Sequence, residues 1–417
     1  MIPSWTRSLP ALSLAAALAG CGVHPGAATV KTAAGPQAAA FTQARTVARI
    51  HFSNPAELEA LEKAGVDLFE NVDRAHGTVG ATLTALSRPV LEKSGLKFEV
   101  LQSAEALAAK GGMPAGYRSV DQVYTELKAI AAAHPDFVKL VEIGKSLEGR
   151  SIFALNFTSK PGTGLPAVRI NSGQHARELP PVELTTNLTH LLADGYGKDQ
   201  NLTRLIDTRD IWIVPIVNPD GRFKVQEGNS MWRKNTRKLG MGAAGVDTNR
   251  NADDHWDGGD SMQWADDYHG EKPFSEPESS AMRDLCGKMR FKSSIDVHNF
   301  AGMILWPPGY STDFTKDEAH FKAVGGKLAD HLNYKAGTIA RTIYKTYGDL
   351  STWEYDTYGT LAFGAELADS GFSAPISEAQ RDWTAWQSNF TYLIDEAGNP
   401  NAKHVTDGPK LPMPGIF

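Results

Sequence analysis

Cysteine is scarce in this chain. Only two of its 417 residues are cysteines, Cys21 and Cys286. Two cysteines cannot build the framework of disulfides by which small extracellular domains are stabilised. An argument for export from the cytoplasm therefore has to rest on another feature of the sequence.

A strong excess of charge is also missing. The formal net charge is -6, whereas nucleic-acid binding requires a basic stripe or patch, so the sequence gives no reason to expect a nucleic-acid partner. Hydrophobic residues make up 41% of the chain and charged residues 22%, which is ordinary for a soluble globular protein. The length of 417 residues exceeds one average domain and fits a large α/β domain together with a small one.

The first apolar run is too short to cross a bilayer. It occupies residues 9–20 after Arg7, which is typical of the apolar part of a signal peptide. The run ends in Leu18-Ala19-Gly20-Cys21, which resembles the lipobox of bacterial lipoproteins, where the cysteine becomes the lipidated first residue. We expect residues 1–20 to be a lipoprotein-type signal peptide and Cys21 to be lipidated, placing the protein in the bacterial cell envelope, at the outer membrane or in the periplasm, or released from it. A plain secretory signal is the alternative.

Changes in composition divide the remaining chain. Residues 21–44 are rich in small residues and proline and predict a flexible tether. Residues 45–103 show strand and helix patterns in the order β-α-β-β-α-β, as in a small ferredoxin-like domain. Residues 104–112 are small and polar and predict a linker with an exposed hinge near Lys110, and residues 399–417 predict a tail.

Strand and helix patterns alternate through residues 113–398, as they do in an α/β domain. Its candidate strands are residues 152–157, 167–171, 210–217, 293–297, 303–306 and 360–366.

A possible metal site begins at His175 and Glu178, three residues apart between a predicted strand and a predicted helix. Imidazole and carboxylate form a common zinc pair, although one such spacing arises by chance among 12 histidines and 48 acidic residues, and a structural pair at a helix start is the alternative. His298 follows the predicted strand 293–297, at the sheet edge where α/β sites lie. Two histidines and one glutamate leave zinc one open position, as catalysis requires.

Three further residues supply chemistry suited to peptide hydrolysis. Glu366 closes an apolar strand, where a carboxylate is costly unless it is used or paired; a salt bridge at the sheet edge is the alternative to a general base. Arg233 and Arg250 lie in predicted loops. A guanidinium can grip a free C-terminal carboxylate with two parallel hydrogen bonds or stabilise an oxyanion, although a single arginine is more often a solvated surface charge.

Together these motifs resemble the zinc metallocarboxypeptidases A, B and T, over nearly the whole chain from about residue 45. The resemblance rests on motifs that occur in family order, namely His175-x-Arg177-Glu178, Asn218-Pro219-Asp220-Gly221, Asp247-x-Asn249-Arg250-Asn251, Ser275-Glu276-Pro277-Glu278, the His298 strand and the Glu366 strand. It implies a mixed, mostly parallel central sheet flanked by helices and preceded by a small α+β propeptide domain. It also implies a monomer with one Zn²⁺ that hydrolyses the C-terminal bond of peptides and proteins.

The resemblance further implies a role for each site residue. The zinc ligands would be His175, Glu178 and His298. The catalytic pair would be Glu366, which activates the metal-bound water, and Arg233, which stabilises the oxyanion. The substrate would be bound by Asn249 and Arg250 at its terminal carboxylate, by Arg177 in the outer subsites, and by Tyr344 as the mobile cap. Residues 45–103 would cover the cleft until cleavage near Lys110.

Substrate preference depends on the pocket that receives the C-terminal side chain. Ser351 stands where basic-specific relatives have aspartate and strictly hydrophobic ones isoleucine, and Asp349 is similar to the arrangement in carboxypeptidase T. The resemblance therefore implies cleavage of apolar C-terminal residues with arginine and lysine tolerated. The rest of the pocket is expected to be roomy and mostly uncharged, lined by Gly309, Ile339, Thr346 and Gly364. Phe300 and Ala252 replace a tyrosine and a tryptophan of many relatives, which affects the outer subsites.

Two acidic features receive structural interpretations. Residues 275–278 fit a capping box that opens a helix to about Met289. The acidic loop of residues 253–267 lacks the ordered spacing of a calcium-binding loop, so we expect a solvated loop.

Two other functions remain open. A relative on the same scaffold could act on cell-wall peptides or acylated amino acids, but retention of Asn249, Arg250 and Tyr344 favours an ordinary peptide C-terminus. A non-catalytic binding domain would be expected to lose a zinc ligand or Glu366, and the sequence retains all of them.

Overall fold

The computed structural model describes residues 45–109, 111–240 and 243–399. The predicted signal peptide, Cys21, the tether, Lys110 and the tail beyond residue 399 lie outside the described residues. Among the described helices, none has both the length and the apolar character needed to span a bilayer.

The N-terminal region, residues 45–103, forms a four-stranded antiparallel sheet with two helices. The strand order is β2-β3-β1-β4. Helix α1 begins after Asn54, whose side chain accepts from the Ala56 amide while Glu57 reaches back to the cap, a complete capping box. The elements are β1 (Thr46–His51), α1 (Pro55–Lys63), β2 (Asp67–Leu68), β3 (Thr78–Leu83), α2 (Ser87–Ser94) and β4 (Phe98–Gln102).

The predicted linker, residues 104–112, contains a helix, α3 (Ala104–Ala109). Ser103 caps the first turn, since its hydroxyl accepts from the Ala106 amide at 3.3 Å. Alanine and leucine favour helix, and Leu107 is buried. The segment thus packs on the rest of the chain.

An eight-stranded mixed sheet forms the centre of the rest of the chain, which confirms the predicted α/β architecture. Its order is β11-β10-β12-β9-β7-β8-β6-β5. Four of its seven pairings are parallel and three are antiparallel. The strands are β5 (Val138–Lys145), β6 (Ser151–Phe157), β7 (Ala167–Ser172), β8 (Asp210–Val214), β9 (Ser293–Asn299), β10 (Met303–Trp306), β11 (Lys335–Thr338) and β12 (Leu361–Leu367).

Helices cover both faces of this sheet, and two separate groups of buried apolar side chains lie under them. The central strands β7 and β9 are buried along their whole length, as expected for strands covered on both faces. The helices are α4 (Val120–Ala133), α5 (Pro180–Gly195), α6 (Gln200–Thr208), α7 (Pro219–Gln226), α8 (Pro277–Met289), α9 (Glu318–Leu332), α10 (Ile339–Thr342), α11 (Leu350–Tyr358) and α12 (Ile376–Glu396).

Parallel pairing brings His175, His298 and Glu366 to one edge of the sheet. Strand β9 pairs in parallel with both β7 and β12, and Glu366 lies opposite His298 in the register. The strand β9 runs to Asn299, so His298 lies within it rather than after it. Because the carboxyl ends of β7, β9 and β12 meet, the turn after β7 that carries His175 lies beside both residues.

Candidate active site

The three predicted metal ligands converge. One donor atom from each of His175, Glu178 and His298 lies within 4.8 Å of the others. The Glu178 carboxylate sits between the two imidazoles, with Oε1 at 2.8 Å from His175 Nδ1 and Oε2 at 2.8 Å from His298 Nδ1. All three residues are buried.

This donor set fits a zinc ion. Two imidazole nitrogens and one carboxylate leave the fourth position of a tetrahedral site open. Burial alone would raise the pKa of Glu178, but the adjacent charges of His175 and His298 lower it below its ordinary value, which keeps the carboxylate ionised. With the third donor in place, the His175–Glu178 pair is more than a chance spacing at the start of a helix.

Asp247 links one of these ligands to an arginine. Its Oδ1 lies 3.2 Å from His175 Nε2, on the side of the ring away from Glu178, and its Oδ2 accepts from Arg233 Nε at 2.9 Å. Burial opposes the charge, but Arg233 and His175 hold the pKa of Asp247 well below its ordinary value. Asp247 belongs to a motif named from the sequence, but its contact with His175 was not predicted, although a carboxylate behind a ligand histidine is a common arrangement.

Replacing Asp247 with asparagine is expected to weaken zinc binding about 10–100-fold, because loss of such a supporting carboxylate leaves the His175 ring less basic and less firmly oriented. Competition with a chromogenic chelator measures the change. The exposed Asp253→Asn is the matched control and should bind zinc like the unmodified chain. Equal affinity in the two variants would contradict the supporting function of Asp247.

Glu366 faces the same space without an ionic partner. It is buried, and no donor among the described residues reaches its Oε2. Burial, together with the negative charges of Glu70 and Glu178, raises the pKa of Glu366 well above its ordinary value. The alternative of a salt bridge at the sheet edge has no support, since no lysine, arginine or histidine in the described part of the chain forms an ion pair with it.

The predicted carboxylate-binding residues border one small cavity together with His175, His298 and Glu366. Asn249 Nδ2 lies 3.5 Å from His298 Nε2, and Asn249 Oδ1 accepts from the Leu350 amide at 3.0 Å. The Arg250 side chain is held by its Nη1 donating to the Asn249 carbonyl at 3.0 Å, while its Nε has no partner among the described residues. An unpaired N–H group of Arg250 therefore remains available for a ligand in the cavity that His175 and His298 also line.

The pocket is not roomy, so that part of the expectation is wrong, whereas nine of its fourteen lining residues carry no formal charge. The cavity measures about 40 Å³. Ile339, Thr346 and Gly364 line it as predicted, but Leu305, Ile343 and several charged groups take up the remaining wall. The full lining is Glu70, His175, Asn249, Arg250, Asp296, His298, Leu305, Ile339, Ile343, Thr346, Asp349, Ser351, Gly364 and Glu366. Gly309 lies just behind it, where a Cβ would meet Asp349 Oδ2 at 2.5 Å.

Asp349 and Ser351 lie together at the start of α11. Asp349 Oδ1 accepts from the Thr352 amide at 2.9 Å and from the Ser351 hydroxyl at 2.8 Å, and its Oδ2 accepts from Thr346 Oγ1 at 3.0 Å. The carboxylate therefore caps the helix and also faces the cavity. It keeps acceptor capacity at Oδ2, since a carboxylate oxygen can take more than one donor.

Side chains of the N-terminal region enter this cleft. Arg177 donates to Asp67 from both terminal nitrogens, at 2.7 and 3.1 Å, and both side chains are buried. Glu70 lies 3.9 Å from Arg233. Asp67 and Glu70 were missed from the sequence, because nothing local distinguishes them from surface carboxylates.

The segment before α11 is held by the same region. The Tyr344 hydroxyl donates to the Leu68 carbonyl at 3.0 Å, and Arg74 donates to the Ile343 carbonyl at 2.7 Å. Tyr344 is 4% exposed, so the predicted capping residue is covered.

The predicted capping box at residues 275–278 is wrong. No side chain caps α8, and the Ser275 hydroxyl donates instead to Glu276 at 2.8 Å. Glu276 and Glu278 are buried and share the Asn235 amide, at 2.7 and 3.1 Å. This carboxylate pair is structural, and it lies away from the zinc donors.

The acidic loop is not solvated as a whole, so that expectation is wrong for four of its six aspartates. Asp253 and Asp257 are exposed. Asp266 pairs with Arg45, and Trp264 of the same loop packs on Gly65, so the N-terminal region covers this part of the loop. The buried members are Asp254, Asp260, Asp266 and Asp267.

The two departures from the family pattern are in apolar surroundings. Phe300 packs edge-on against Phe69 of the N-terminal region and against Phe372, with ring centroids 5.8 and 5.0 Å away. Ala252 is buried in the apolar group that includes Phe274 and Trp353. Neither position offers a polar group.

Comparison with known proteins identifies the family. A zinc carboxypeptidase family model matches residues 123–388. Carboxypeptidase A2 of Rattus norvegicus is 34% identical over 298 residues, 67% of this chain and 70% of the relative. Carboxypeptidase A1 of Rattus norvegicus is 29% identical over 372 residues, 79% and 87% of the two chains.

The fold agrees with this match. The crystal structure of carboxypeptidase A from Helicoverpa armigera superposes with a TM-score of 0.74 at 22% identity, covering 86% of this chain and 98% of that one. Together with the convergent donors of His175, Glu178 and His298, the matches lead to one conclusion. This chain belongs to the zinc carboxypeptidase family and is a zinc-dependent metallocarboxypeptidase, a hydrolase with one zinc ion in its active site.

Proposed function

We propose that this chain removes single residues from the free C-termini of peptides and proteins. The observation that carries the proposal is the set of side chains that line one cavity. It brings the buried donors of His175 and His298, the unpaired carboxylate of Glu366, and the carboxylate-binding pair Asn249 and Arg250 within reach of one substrate terminus.

Glu366 is proposed as the general base and acid. His175, Glu178 and His298 would hold the zinc ion, which would act as a Lewis acid and lower the pKa of water. Glu366 accepts a proton from the attacking water and later donates it to the leaving amine. Its buried Oε2 supports this assignment, since no group among the described residues forms a hydrogen bond with that oxygen.

Arg233 is proposed to stabilise the negative charge that develops on the scissile carbonyl oxygen. Asp247 fixes the guanidinium through Nε, and Nη1 has no hydrogen-bond partner among the described residues. A donor that is already oriented requires no rearrangement as the charge develops, which is where electrostatic catalysis is most effective.

Recognition of the substrate terminus is proposed for the residues around the cavity. Asn249 and Arg250 bind the terminal carboxylate, because a guanidinium matches a carboxylate with paired hydrogen bonds. Tyr344 closes over the terminal side chain, and Arg177 contacts residues further from the terminus. In the present structure, Arg177 and Tyr344 both form hydrogen bonds with the N-terminal region. They can therefore contact a substrate only after the N-terminal region has been removed.

Peptides with free and amidated C-termini test the exopeptidase assignment. We expect mass spectrometry to record stepwise loss of single residues from the free peptide and none from the amidated one, since the amide removes the charge that Arg250 binds. Equal processing of both peptides, or cleavage at internal bonds, would contradict the proposal.

We propose a broad preference for apolar C-terminal residues, with arginine and lysine accepted through Asp349. The Asp349 carboxylate borders the cavity and retains acceptor capacity at Oδ2. Ser351 adds no charge and donates its hydroxyl to Asp349.

Replacing Asp349 with asparagine is expected to lower kcat/KM for peptides ending in arginine relative to phenylalanine by roughly 10–100-fold, since hydrogen bonds to a charged group are worth about 1.5–3 kcal/mol. Asparagine also caps helices well, so α11 should persist. A panel of substrates ending in Phe, Leu, Arg and Glu measures this ratio, and the phenylalanine substrate is the internal control. An unchanged ratio, or a sole preference for glutamate, would contradict the assignment.

The N-terminal region is proposed to be a propeptide that keeps the enzyme latent. The division into residues 45–103, 104–112 and 113–398, with cleavage near Lys110, remains a prediction. Its support is the group of contacts made by Asp67, Leu68 and Glu70 at Arg177, Tyr344 and Arg233. A substrate cannot reach these three residues while the contacts persist.

Export as a lipoprotein anchored through Cys21 is proposed from the leader sequence. The sequence of residues 18–21 supports it. Membrane contact would occur only through this lipid, with a monomeric enzyme in the cell envelope. Labelling with a radioactive fatty acid tests it, and a Cys21→Ala variant that retains the label would contradict it.

A further inference from the structure

A second group of metal-binding side chains lies outside the zinc site. Donor atoms of Asp254, His255 and Asp356 all lie within 4.8 Å of one another. Asp254 and His255 belong to the loop that follows Arg250, and Asp356 belongs to α11. His255 Nδ1 lies 2.9 Å from Asp254 Oδ1.

Asp254 is a buried carboxylate with an unused oxygen. Its side chain is 6% exposed, and no donor among the described residues reaches Oδ2. Burial, and then the negative charges of Asp349 and Asp356, raise the pKa of Asp254 to about 7. A buried carboxylate in this position is costly unless a cation or a donor satisfies it.

The charges around Asp254 are not balanced by protein groups. No lysine or arginine of the described residues forms an ion pair with Asp254, Asp349 or Asp356, and the ion pair that Asp254 makes is with His255. A protonated imidazole offsets at most one of the three carboxylates. Without a cation, Asp254 and Asp356 lose further charge by taking up a proton, since burial and the neighbouring carboxylates raise the pKa of both. A divalent cation offsets two of these negative charges, and it can coordinate the Oδ2 atom of Asp254, which has no hydrogen-bond partner among the described residues.

The histidine is held in place for such a contact. Its ring stacks on that of Tyr310, with centroids 3.4 Å apart and planes at 19°. Tyr310 in turn hydrogen-bonds to Asp356. The His255 side chain is 50% exposed, so water can fill the positions that the protein does not supply.

We propose that Asp254, His255 and Asp356 bind a second divalent cation, either zinc or a transition-metal ion with similar ligand preferences. One imidazole and two carboxylates form a donor set that suits zinc better than calcium, which prefers six to eight oxygens. The cation joins the loop after Arg250 to α11, the helix that carries Ser351 and begins at Asp349. It thereby fixes two walls of the substrate pocket and reduces the negative charge beside Asp349.

Titration of protein that already holds one zinc equivalent tests the proposal. Calorimetry with ZnCl₂ is expected to show a second equivalent for the unmodified chain. His255→Gly and Asp356→Asn should each keep the first equivalent and weaken the second by more than about 100-fold, the most that loss of a mere supporting group produces. Glycine suits position 255, where φ is 46°. The exposed Asp257→Asn, in the same loop, is the matched control and should bind both equivalents.

Three results would overturn the proposal. They are a single equivalent in the unmodified chain, a second equivalent that persists in both His255→Gly and Asp356→Asn, and saturation by CaCl₂ with no second equivalent of zinc. Thermal unfolding gives an independent readout, since binding to the folded state alone raises Tm. Excess zinc should raise the Tm of the unmodified chain and the control above that of the two variants. Retention of the first equivalent distinguishes these outcomes from failure of the catalytic site.

Discussion

Replacing Glu366 with glutamine is expected to lower kcat/KM about 10²–10⁴-fold, the usual contribution of a positioned general base. Glutamine matches the shape of the side chain but cannot accept the proton of the attacking water. The carboxylate lies opposite His298 in the sheet, and no donor in the part of the chain that the structure describes reaches Oε2, so the substitution breaks no hydrogen bond of that oxygen there. Steady-state hydrolysis of a peptide ending in phenylalanine, by protein freed of residues 45–110, measures the effect.

The same variant should still bind one zinc equivalent, because Glu366 is not among the converging donors. It should also bind a non-hydrolysed substrate analogue with little change in affinity, since Asn249 and Arg250 remain. Activity within a few-fold of the unmodified enzyme would show that another group accepts the proton. Loss of zinc together with activity would show that Glu366 acts on the metal site instead.

Removal of the Asp67 carboxylate is expected to activate the uncleaved chain. Asp67 and Arg177 form a two-bond ion pair with side-chain exposures of 5% and 0%. Leaving one charge of a buried pair alone costs about 3–5 kcal/mol. That cost applies only while the N-terminal region covers Arg177, so Asp67→Ala shifts the equilibrium towards the open cleft by roughly 10²–10⁴-fold. Hydrolysis by intact protein, with cleavage excluded by gel electrophoresis, measures the gain.

Glu59 provides the matched control for this experiment. Its carboxylate lies 3.8 Å from Lys345 across the same interface, but both side chains are about one-third exposed. Exposed pairs contribute only about 0–1 kcal/mol, so Glu59→Ala should change the activity of the intact chain by less than about fivefold. Activity of intact Asp67→Ala equal to that of Glu59→Ala, or an intact chain already as active as the cleaved one, would contradict latency.

The zinc donors and Glu366 were predictable because they depend on strand ends. His298 and Glu366 each lie near the end of a buried strand, and parallel pairing then sets them opposite one another. His175 follows a third such strand. Local patterning predicted their position, since parallel strands place their last residues at one edge of a sheet, and the family resemblance predicted their chemical roles.

Contacts that depend on tertiary docking were not predictable. Arg177 and Asp67 are 110 positions apart in the sequence, and neither residue is locally unusual. The acidic loop appeared solvated because its composition is polar, yet Asp266 is buried against Arg45 of the N-terminal region. Ser275 matched a capping pattern, but its hydroxyl has a stronger local acceptor in Glu276. Both wrong predictions arise because a charged group, Arg45 for the acidic loop and Glu276 for Ser275, forms a contact that the local sequence pattern does not take into account.

Zinc removal and restoration tests the central claim most directly. Protein freed of residues 45–110 by limited proteolysis is treated with a chelator, dialysed, and assayed for release of C-terminal phenylalanine before and after one equivalent of zinc is added. We predict complete loss of activity on chelation and full recovery on zinc addition, with no recovery in a His298→Ala variant. Undiminished hydrolysis by the metal-free protein, or recovery in the variant equal to that of the unmodified enzyme, would contradict the account.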